Sequence, residues 1–166
     1  QFNHLYVETG LAMHYFATRD ETTRELFEQS HEIHRSRWWD PLEGGFVREL
    51  NRDLSVFDTN KDFVGQVVPL SGPWLYWYAA SEDEALRERM LQQAALIDER
   101  LIDRDHGWVL ETFNRSWKYL GTPKPEYEID TGHNLERAWI WLRLGWPAGD
   151  EEMVERGSAS VERGRR

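Results

Sequence analysis

The sequence repeats itself at an offset of 63 residues. Residues 37–54, "RWWDPLEGGFVRELNRDL", align at this offset with residues 100–117, "RLIDRDHGWVLETFNRSW". Identical residues coincide in the Asp-x-x-x-Gly and Asn-Arg segments: Asp40 with Asp103, Gly44 with Gly107, Asn51 with Asn114 and Arg52 with Arg115. Self-similarity at a long, fixed period is the signature of stacked structural units, so the chain is predicted to be an array of such units.

Each unit has the pattern of two helices followed by a short β excursion. Asp20 or Ser81 is predicted to cap the second helix of its unit. Apolar residues recur at helical spacing in that helix, as at Leu86, Met90, Ala94 and Ile97. The stretches "GGFVREL" and "GWVLETF" then alternate, which predicts a strand or hairpin. One helix pair cannot bury both of its faces, so the pattern predicts a stacked or toroidal all-α array.

The units are predicted at about 1–57, 58–129 and 130–166, within one partial domain that spans residues 1–166. The start of the third unit rests on a looser match between "DTNKDF" (58–63) and "DTGHNL" (130–135). Three helix pairs in an arc are expected, with inner helices near 3–17, 62–79 and 133–145. The first helix is expected to be clipped, and apolar periodicity is expected to end after Trp146, where a basic tail follows.

Two prolines interrupt the second inner helix. Pro69 and Pro73 lie within "VVPLSGPWLYWYAA", and proline removes a backbone donor that a helix interior needs. We expect a kink, or a late helix start, near Ser71.

The amino-acid composition limits the classes of binding partner that are expected. Thirty acidic residues against 20 basic ones give a formal net charge of −10, which repels a phosphate backbone, so nucleic acid is not expected as a partner. No apolar run approaches the roughly 20 residues of a membrane span, and no signal peptide is evident. The absence of cysteine fits a reducing compartment, and we expect a cytoplasmic location.

Two motifs carry a resemblance to a known family. "DPLEGG" after a second helix and "GHNLERAW" at the head of a later first helix resemble the N-acylglucosamine 2-epimerase family, which includes cellobiose 2-epimerases and mannose isomerase-like enzymes. The likeness covers most of residues 3–145. It implies an (α/α)6 barrel, a ring of six helix pairs around a sugar pocket. Six units of this length need roughly 380 residues, so about half of the ring would be present.

The resemblance also implies site residues. Gly132, His133 and Glu136 match the family's Gly-His-x-x-Glu motif, in which the histidine transfers a proton at the sugar carbon next to the carbonyl and the glutamate orients hydroxyls. Substrate-binding roles are implied more weakly for His4 in "FNHLYVE" and for Lys61 and Gln66 in "NKDFVGQ". No cofactor is implied.

The residues themselves leave the role of His133 open. Spacing of three places His133 and Glu136 on one helix face, and Asp130 or Thr131 would cap that helix. The positive end of the helix dipole then favours the neutral imidazole of a general base. The alternatives are a polar His133 satisfied by its own loop and a solvated Glu136 paired with Arg137.

The remaining aromatic and histidine residues are assigned by spacing. Trp139 and Trp141 cannot both face the same way on a helix, and Trp139, which shares a face with Glu136, is the expected sugar-stacking residue. His31 and His34 are also three apart, as in some metal sites, but no third ligand is evident, so no metal is expected.

Three functions remain in order of preference. The first is an epimerase or aldose–ketose isomerase that acts at carbon 2 of a mono- or disaccharide through an enediolate. The second is a glycoside hydrolase with two carboxylates across the scissile bond. The third is a non-catalytic carbohydrate-binding remnant. An open arc would leave apolar faces bare, so self-association is also expected.

Overall fold

The computed structural model describes residues 1–122 and 129–163. Helices dominate this part of the chain: α1 (Phe2–Thr18), α2 (Glu21–Arg37), α3 (Phe63–Ser71), α4 (Pro73–Ser81), α5 (Glu84–Arg100), α6 (Thr131–Ala148) and α7 (Glu151–Arg163). Four short strands lie between them: β1 (Glu49–Leu50), β2 (Val56–Asp58), β3 (Lys61–Asp62) and β4 (Thr112–Phe113). None of the helices in the described ranges is long and apolar enough to cross a membrane.

The helices form three pairs in an arc, as the sequence predicts. Helix α1 packs on α2 and on α4, α3 packs on α5 and α6, and α6 packs on α7. The inner helices are therefore α1, the α3–α4 segment and α6. One apolar core joins the pairs, and its fully buried members include Phe27, Phe63, Leu70, Met90, Ile97, Phe113, Ile140 and Trp141.

Aspartates begin the helices that the repeat places in equivalent positions. The Asp20 carboxylate accepts the Thr23 amide at the start of α2. At the start of α5 this role belongs to Asp83, so the expectation of a Ser81 cap is wrong. The Ser81 hydroxyl instead donates to the Trp77 carbonyl one turn back, as serines in a last helical turn commonly do.

The second inner helix is two helices. Helix α3 ends at Ser71, and α4 begins at Pro73 after a non-helical Gly72. The expected break near Ser71 is confirmed, and a continuous helix over 62–79 is wrong. Pro73 takes the first helical position, where no backbone N–H is required. A side chain at position 72 would meet the Thr9 hydroxyl at 2.6 Å, so only glycine allows α1 to pass this close.

The repeat recurs in the backbone. The Gly44 amide donates to the Asp40 carbonyl, as the Gly107 amide does to that of Asp103. Non-glycine residues with positive φ also recur at the offset of 63, at Arg19 (59°) and Glu82 (54°) and again at Leu54 (65°) and Trp117 (64°). The side chains differ at these two pairs of positions. The units therefore share the backbone conformation there without sharing the residue type.

The strands connect the units. Strands β1 and β2 form an antiparallel hairpin within the first unit. Strand β3, at the start of the second unit, pairs with β4 later in the same unit, with Lys61 opposite Phe113 and Asp62 opposite Thr112. A backbone bond from the Arg48 amide to the Asn60 carbonyl links the β excursion of the first unit to the start of the second.

The C-terminal residues depart from the sequence expectation. Helix α7 packs along α6 as the outer member of the third pair with Met153, Val154 and Val161 half-buried, so the expectation that apolar periodicity ends after Trp146 is wrong. Two glycines allow the close approach: a Cβ at Gly145 would meet Met153 at 3.0 Å, and one at Gly157 would meet the Ala138 carbonyl at 3.0 Å. Alternation of glutamates with small residues hid this helix from a search for apolar periodicity.

Candidate active site

The first turns of the three inner helices meet at one end of the arc. The Gln1 side chain, before α1, donates to the Gly65 carbonyl in the first turn of α3. The Phe63 amide donates to the Glu111 carbonyl at 2.9 Å, and the Phe63 ring lies 4.9 Å from the His133 ring in the first turn of α6. Side chains at these three helix starts therefore share one surface.

His133 is held at the head of α6 by two acids. The Asp130 carboxylate caps the helix by accepting the His133 amide at 3.0 Å, which confirms one of the two expected caps. On the side chain, Nδ1 lies 2.9 Å from both carboxylate oxygens of Glu111. A carboxylate accepts but does not donate, so Nδ1 carries a proton, and in the neutral imidazole the lone pair is then on Nε2. Within the described ranges Nε2 has no hydrogen-bond partner, and 28% of the side chain is exposed.

Glu111 is the site residue that the sequence did not reveal. It ends the alternating stretch just before β4, and burial raises the pKa of its carboxyl, opposed by the hydrogen bond from His133. The nearby Asp130 and Asp62 raise that pKa further. At the repeat offset its counterpart is Arg48, so the alignment offered no acid to look for. The only signal in the sequence for Glu111 was a charged residue within the alternating stretch, just before β4.

Glu136 lies one turn further along α6 and is half-buried. It makes no hydrogen bond or ion pair with any described residue. The alternative pairing with Arg137 does not occur, because that guanidinium donates to Asp98 at 2.6 Å and to Ser160 at 3.0 Å. The carboxylate is therefore available on the same helix as His133.

The two tryptophans of α6 face different surroundings. Trp141 is fully buried, and its indole N–H donates to Asp98 at 2.8 Å. Trp139 is 42% exposed and lines a cavity of about 450 Å³ with Tyr78 and Met90. Neither His133 nor Glu136 lines that cavity, so Trp139 occupies a separate surface of α6.

Lys61 and Gln66 lie beneath the surface. The Lys61 ammonium is fully buried and donates to Asp40 at 3.1 Å and to the Arg115 carbonyl. The Gln66 amide makes two hydrogen bonds of 2.8 Å with the backbone of Phe46. A sugar-binding role for either residue would require these bonds to break.

His4 faces the first outer helix. Its Nε2 lies 3.1 Å from the Ser30 carbonyl of α2, and its ring centre is 4.8 Å from that of Trp38. No contact joins His4 to His133. Of the six residues expected from the sequence, only His133 and Glu136 lie together at the start of α6.

Solved structures share this architecture. Cellobiose 2-epimerase from Bacillus thermoamylovorans superposes with a TM-score of 0.84 at 13% identity, over 97% of this chain and 42% of that one. D-mannose isomerase gives 0.77 at 11% identity, over 98% and 39%. A family 76 glycoside hydrolase, a mannosidase from Bacteroides thetaiotaomicron, gives 0.76 at 13% identity, over 96% and 42%. The chain thus has the fold of part of an (α/α)6 barrel and spans about 40% of these structures' length.

Sequence comparison identifies the family of this chain, which the shared fold alone does not. No curated protein matches the chain. The family model described as N-acylglucosamine 2-epimerase (GlcNAc 2-epimerase) matches residues 1–159, which include both motifs that carry the resemblance. The chain belongs to the N-acylglucosamine 2-epimerase family.

Proposed function

We propose that the protein is a sugar 2-epimerase or aldose–ketose isomerase in which His133 moves the proton at carbon 2. The observation that carries this proposal is the Glu111–His133 pair at the head of α6. A histidine with Nδ1 bonded to a carboxylate presents Nε2 as a base, and the carboxylate stabilises the imidazolium that forms. Membership of the family supports the same reaction.

The reaction needs one base at the start and one acid at the end. His133 Nε2 would take the proton from carbon 2 of the open-chain sugar, and an enediolate would form with its negative charge on the former carbonyl oxygen. Return of a proton to the other face of carbon 2 restores the carbonyl at carbon 1 and gives the epimer. Return of the proton to carbon 1, with the hydroxyl proton on the oxygen of carbon 2 passing to the oxygen of carbon 1, gives the ketose. Glu136 would accept hydrogen bonds from substrate hydroxyls.

Proton exchange tests the proposal directly. The intact protein is incubated with mannose, glucose or cellobiose in deuterated water, and loss of the carbon-2 proton signal is followed by NMR. His133→Asn should lower the exchange rate by about a hundredfold to ten-thousandfold, the usual contribution of a general base. Glu111→Gln should also slow exchange with little change in sugar affinity, because it removes the charge that orients and supports the imidazole.

His14→Asn is the matched control. His14 lies on α1 and bonds Thr23 on α2, so its replacement leaves the His133 surface intact. Wild-type exchange rates in the His133→Asn variant would remove His133 from the mechanism. Wild-type protein that exchanges none of these sugars would refute the proposed reaction.

Glycoside hydrolysis is the second candidate, favoured by the superposition on a family 76 mannosidase. The acids at the inner helix starts, Asp62, Glu111 and Asp130, would supply the required pair. The engagement of Glu111 by His133 favours proton transfer instead. Release of reducing sugar from a mannoside without carbon-2 exchange would reverse this order.

We also propose a cytoplasmic location, supported by the absence of cysteine in a chain of 166 residues. Fractionation of source cells with an antibody against the protein tests it.

A further inference from the structure

A glutamate and two histidines are buried together between α1 and α2. Glu8 projects from α1, and His31 and His34 project from α2. One potential ligand atom of each residue lies within 4.8 Å of those of the other two. Glu8 and His34 are completely buried, and His31 is half-buried. This Glu8–His31–His34 cluster belongs to the first helix pair, whereas His133 belongs to the third.

The polar atoms of the cluster have no hydrogen-bond partners in the described part of the chain. They are both carboxylate oxygens of Glu8 and the Nδ1 atoms of His31 and His34. His34 Nδ1 is 3.9 Å from Glu8 Oε2, which is too long for a hydrogen bond. Buried polar atoms are nearly always paired, so four unpaired atoms that face one another indicate a missing ligand.

His4 does not supply that partner. Its Nε2 comes within 3.3 Å of Glu8 Oε1 but without the alignment of a hydrogen bond. The same nitrogen lies 3.1 Å from the Ser30 carbonyl, which accepts its proton. The buried Glu8 carboxylate is therefore left without an aligned hydrogen-bond donor.

The protonation states suit a cation. Burial, with the nearby Arg89 and Arg35, lowers the pKa of His31 to about 4. Burial also holds the pKa of His34 well below its usual range, so both imidazoles are neutral near pH 7, the form that binds metals. Burial raises the pKa of Glu8, and the nearby His4 and Ser30 oppose this shift only in part.

Aromatic rings fix the two imidazoles. The His31 ring stacks on Phe27 at 5.6 Å, and the His34 ring stacks on Phe46 at 4.5 Å. His34 Nε2 lies 3.2 Å from the amide nitrogen of Gln1. With a metal on Nδ1 this Nε2 carries a proton, so the Gln1 amide must turn to present its oxygen.

The spacing and access also fit a metal ion. Tetrahedral zinc brings its ligand atoms to about 3.3 Å from one another, so atoms that now lie within 4.8 Å must close by up to about 1.5 Å. His31, but neither Glu8 nor His34, lines a cavity of about 240 Å³ together with Trp74 and Gln93. This cavity gives access to the cluster from the His31 side.

We propose that Glu8, His31 and His34 bind a divalent transition-metal ion of the zinc type. Two imidazole nitrogens and one carboxylate oxygen form a ligand set that suits zinc and disfavours magnesium and calcium, which prefer oxygen ligands. The spacing of His31 and His34 alone gave no third ligand. The fold supplies Glu8 from the neighbouring helix.

Metal titration of chelator-treated intact protein tests the site. Calorimetry with Zn²⁺ should show one ion bound per chain, whereas Mg²⁺ and Ca²⁺ should give no heat of binding. Co²⁺ in place of Zn²⁺ should produce visible absorption bands of a tetrahedral or five-coordinate nitrogen–oxygen site. His31→Ala should weaken Zn²⁺ binding by at least about a hundredfold, because loss of even outer-shell partners costs roughly 10–100-fold.

His14→Ala is the control, since it removes a histidine of α1 outside the cluster. Circular dichroism establishes that each variant is folded, and Glu8→Gln serves as a second ligand variant if His31→Ala is not. Failure of the wild-type protein to bind Zn²⁺ would overturn the proposal. So would Zn²⁺ binding that survives both ligand variants, or Co²⁺ bands that disappear in His14→Ala.

Discussion

Asp40→Asn tests the buried charge that joins the first two units. The Asp40 and Lys61 side chains are both fully buried, with 3.1 Å between Oδ2 and Nζ. Arg115 of the second unit donates to both oxygens of the same carboxylate, at 2.8 and 2.9 Å. Asparagine keeps the shape of the side chain but removes the charge that both cations face.

The expected loss of stability follows from the burial of the Asp40 and Lys61 side chains. Removing one member of a buried ion pair leaves the other charge uncompensated, which typically costs about 3–5 kcal/mol. We expect Asp40→Asn to lower the free energy of unfolding by this amount. Arg115→Met should cost much less than Asp40→Asn, because the Arg115 side chain is 44% exposed and solvent screens it. Combining Asp40→Asn with Lys61→Met should recover part of the loss, since no buried charge then remains.

The effect should depend on pH. Hydrogen bonds, first from Arg115 and then from the Leu42 amide and Lys61, hold the pKa of Asp40 well below its usual range. A carboxyl with a depressed folded-state pKa contributes stability that is complete above its unfolded pKa of about 3.9 and is lost as pH falls through the folded value. The difference between wild type and Asp40→Asn should therefore be constant near pH 7 and shrink below about pH 4.

Urea unfolding followed by tryptophan fluorescence measures these differences between pH 3 and 7, a range set by the pKa values above. A loss below about 1 kcal/mol at pH 7 would refute the argument from an uncompensated Lys61. A difference that stays constant on acidification would refute the assignment of the effect to the Asp40 charge.

Three further outcomes are expected. Asp130→Ala should destabilise α6 by about 1 kcal/mol in urea unfolding, because it removes the helix cap. Gly45→Ala should lower the thermal midpoint more than Gly149→Ala: both glycines have positive φ, but only at Gly45 would a Cβ meet the Trp117 ring, at 2.5 Å. Sedimentation of residues 1–166 alone should show oligomers or aggregates, because apolar side chains of α1 such as Tyr6 and Val7 are 57% and 61% exposed; a stable monomer would contradict this.

The repeat carried most of the fold prediction. The offset of 63 correctly predicted equivalent helices and Asp-x-x-x-Gly turns in two units. Such turns can be predicted because their hydrogen bonds, such as that from the Gly44 amide to the Asp40 carbonyl, join residues that are close in the chain. Helix α7 was missed because its apolar stripe, formed by Met153, Val154 and Val161, is short and is interrupted by the buried Gly157 and Ser160.

The candidate site likewise contains some residues that the sequence predicted and others that only the structure revealed. His133 and its Asp130 cap lie three residues apart and were read from the sequence. Glu111 reaches His133 only through the β3–β4 pairing, and Glu8 reaches His31 only through the packing of α1 on α2. Partners brought together by tertiary contacts leave no spacing signal in a single sequence.

The bonds that join Asp40 to Lys61 and Arg115 also affect how the array of helix pairs unfolds. In open solenoids each repeat meets its neighbour through helix faces, and terminal repeats can fray independently. Here Arg115 and the Trp117 indole of the second unit bond Asp40 and the Glu43 carbonyl of the first, so separating the units exposes a buried charge pair. The first two units should therefore open as one cooperative block, with amide protons that exchange together, while α7 at the edge of the arc exchanges sooner.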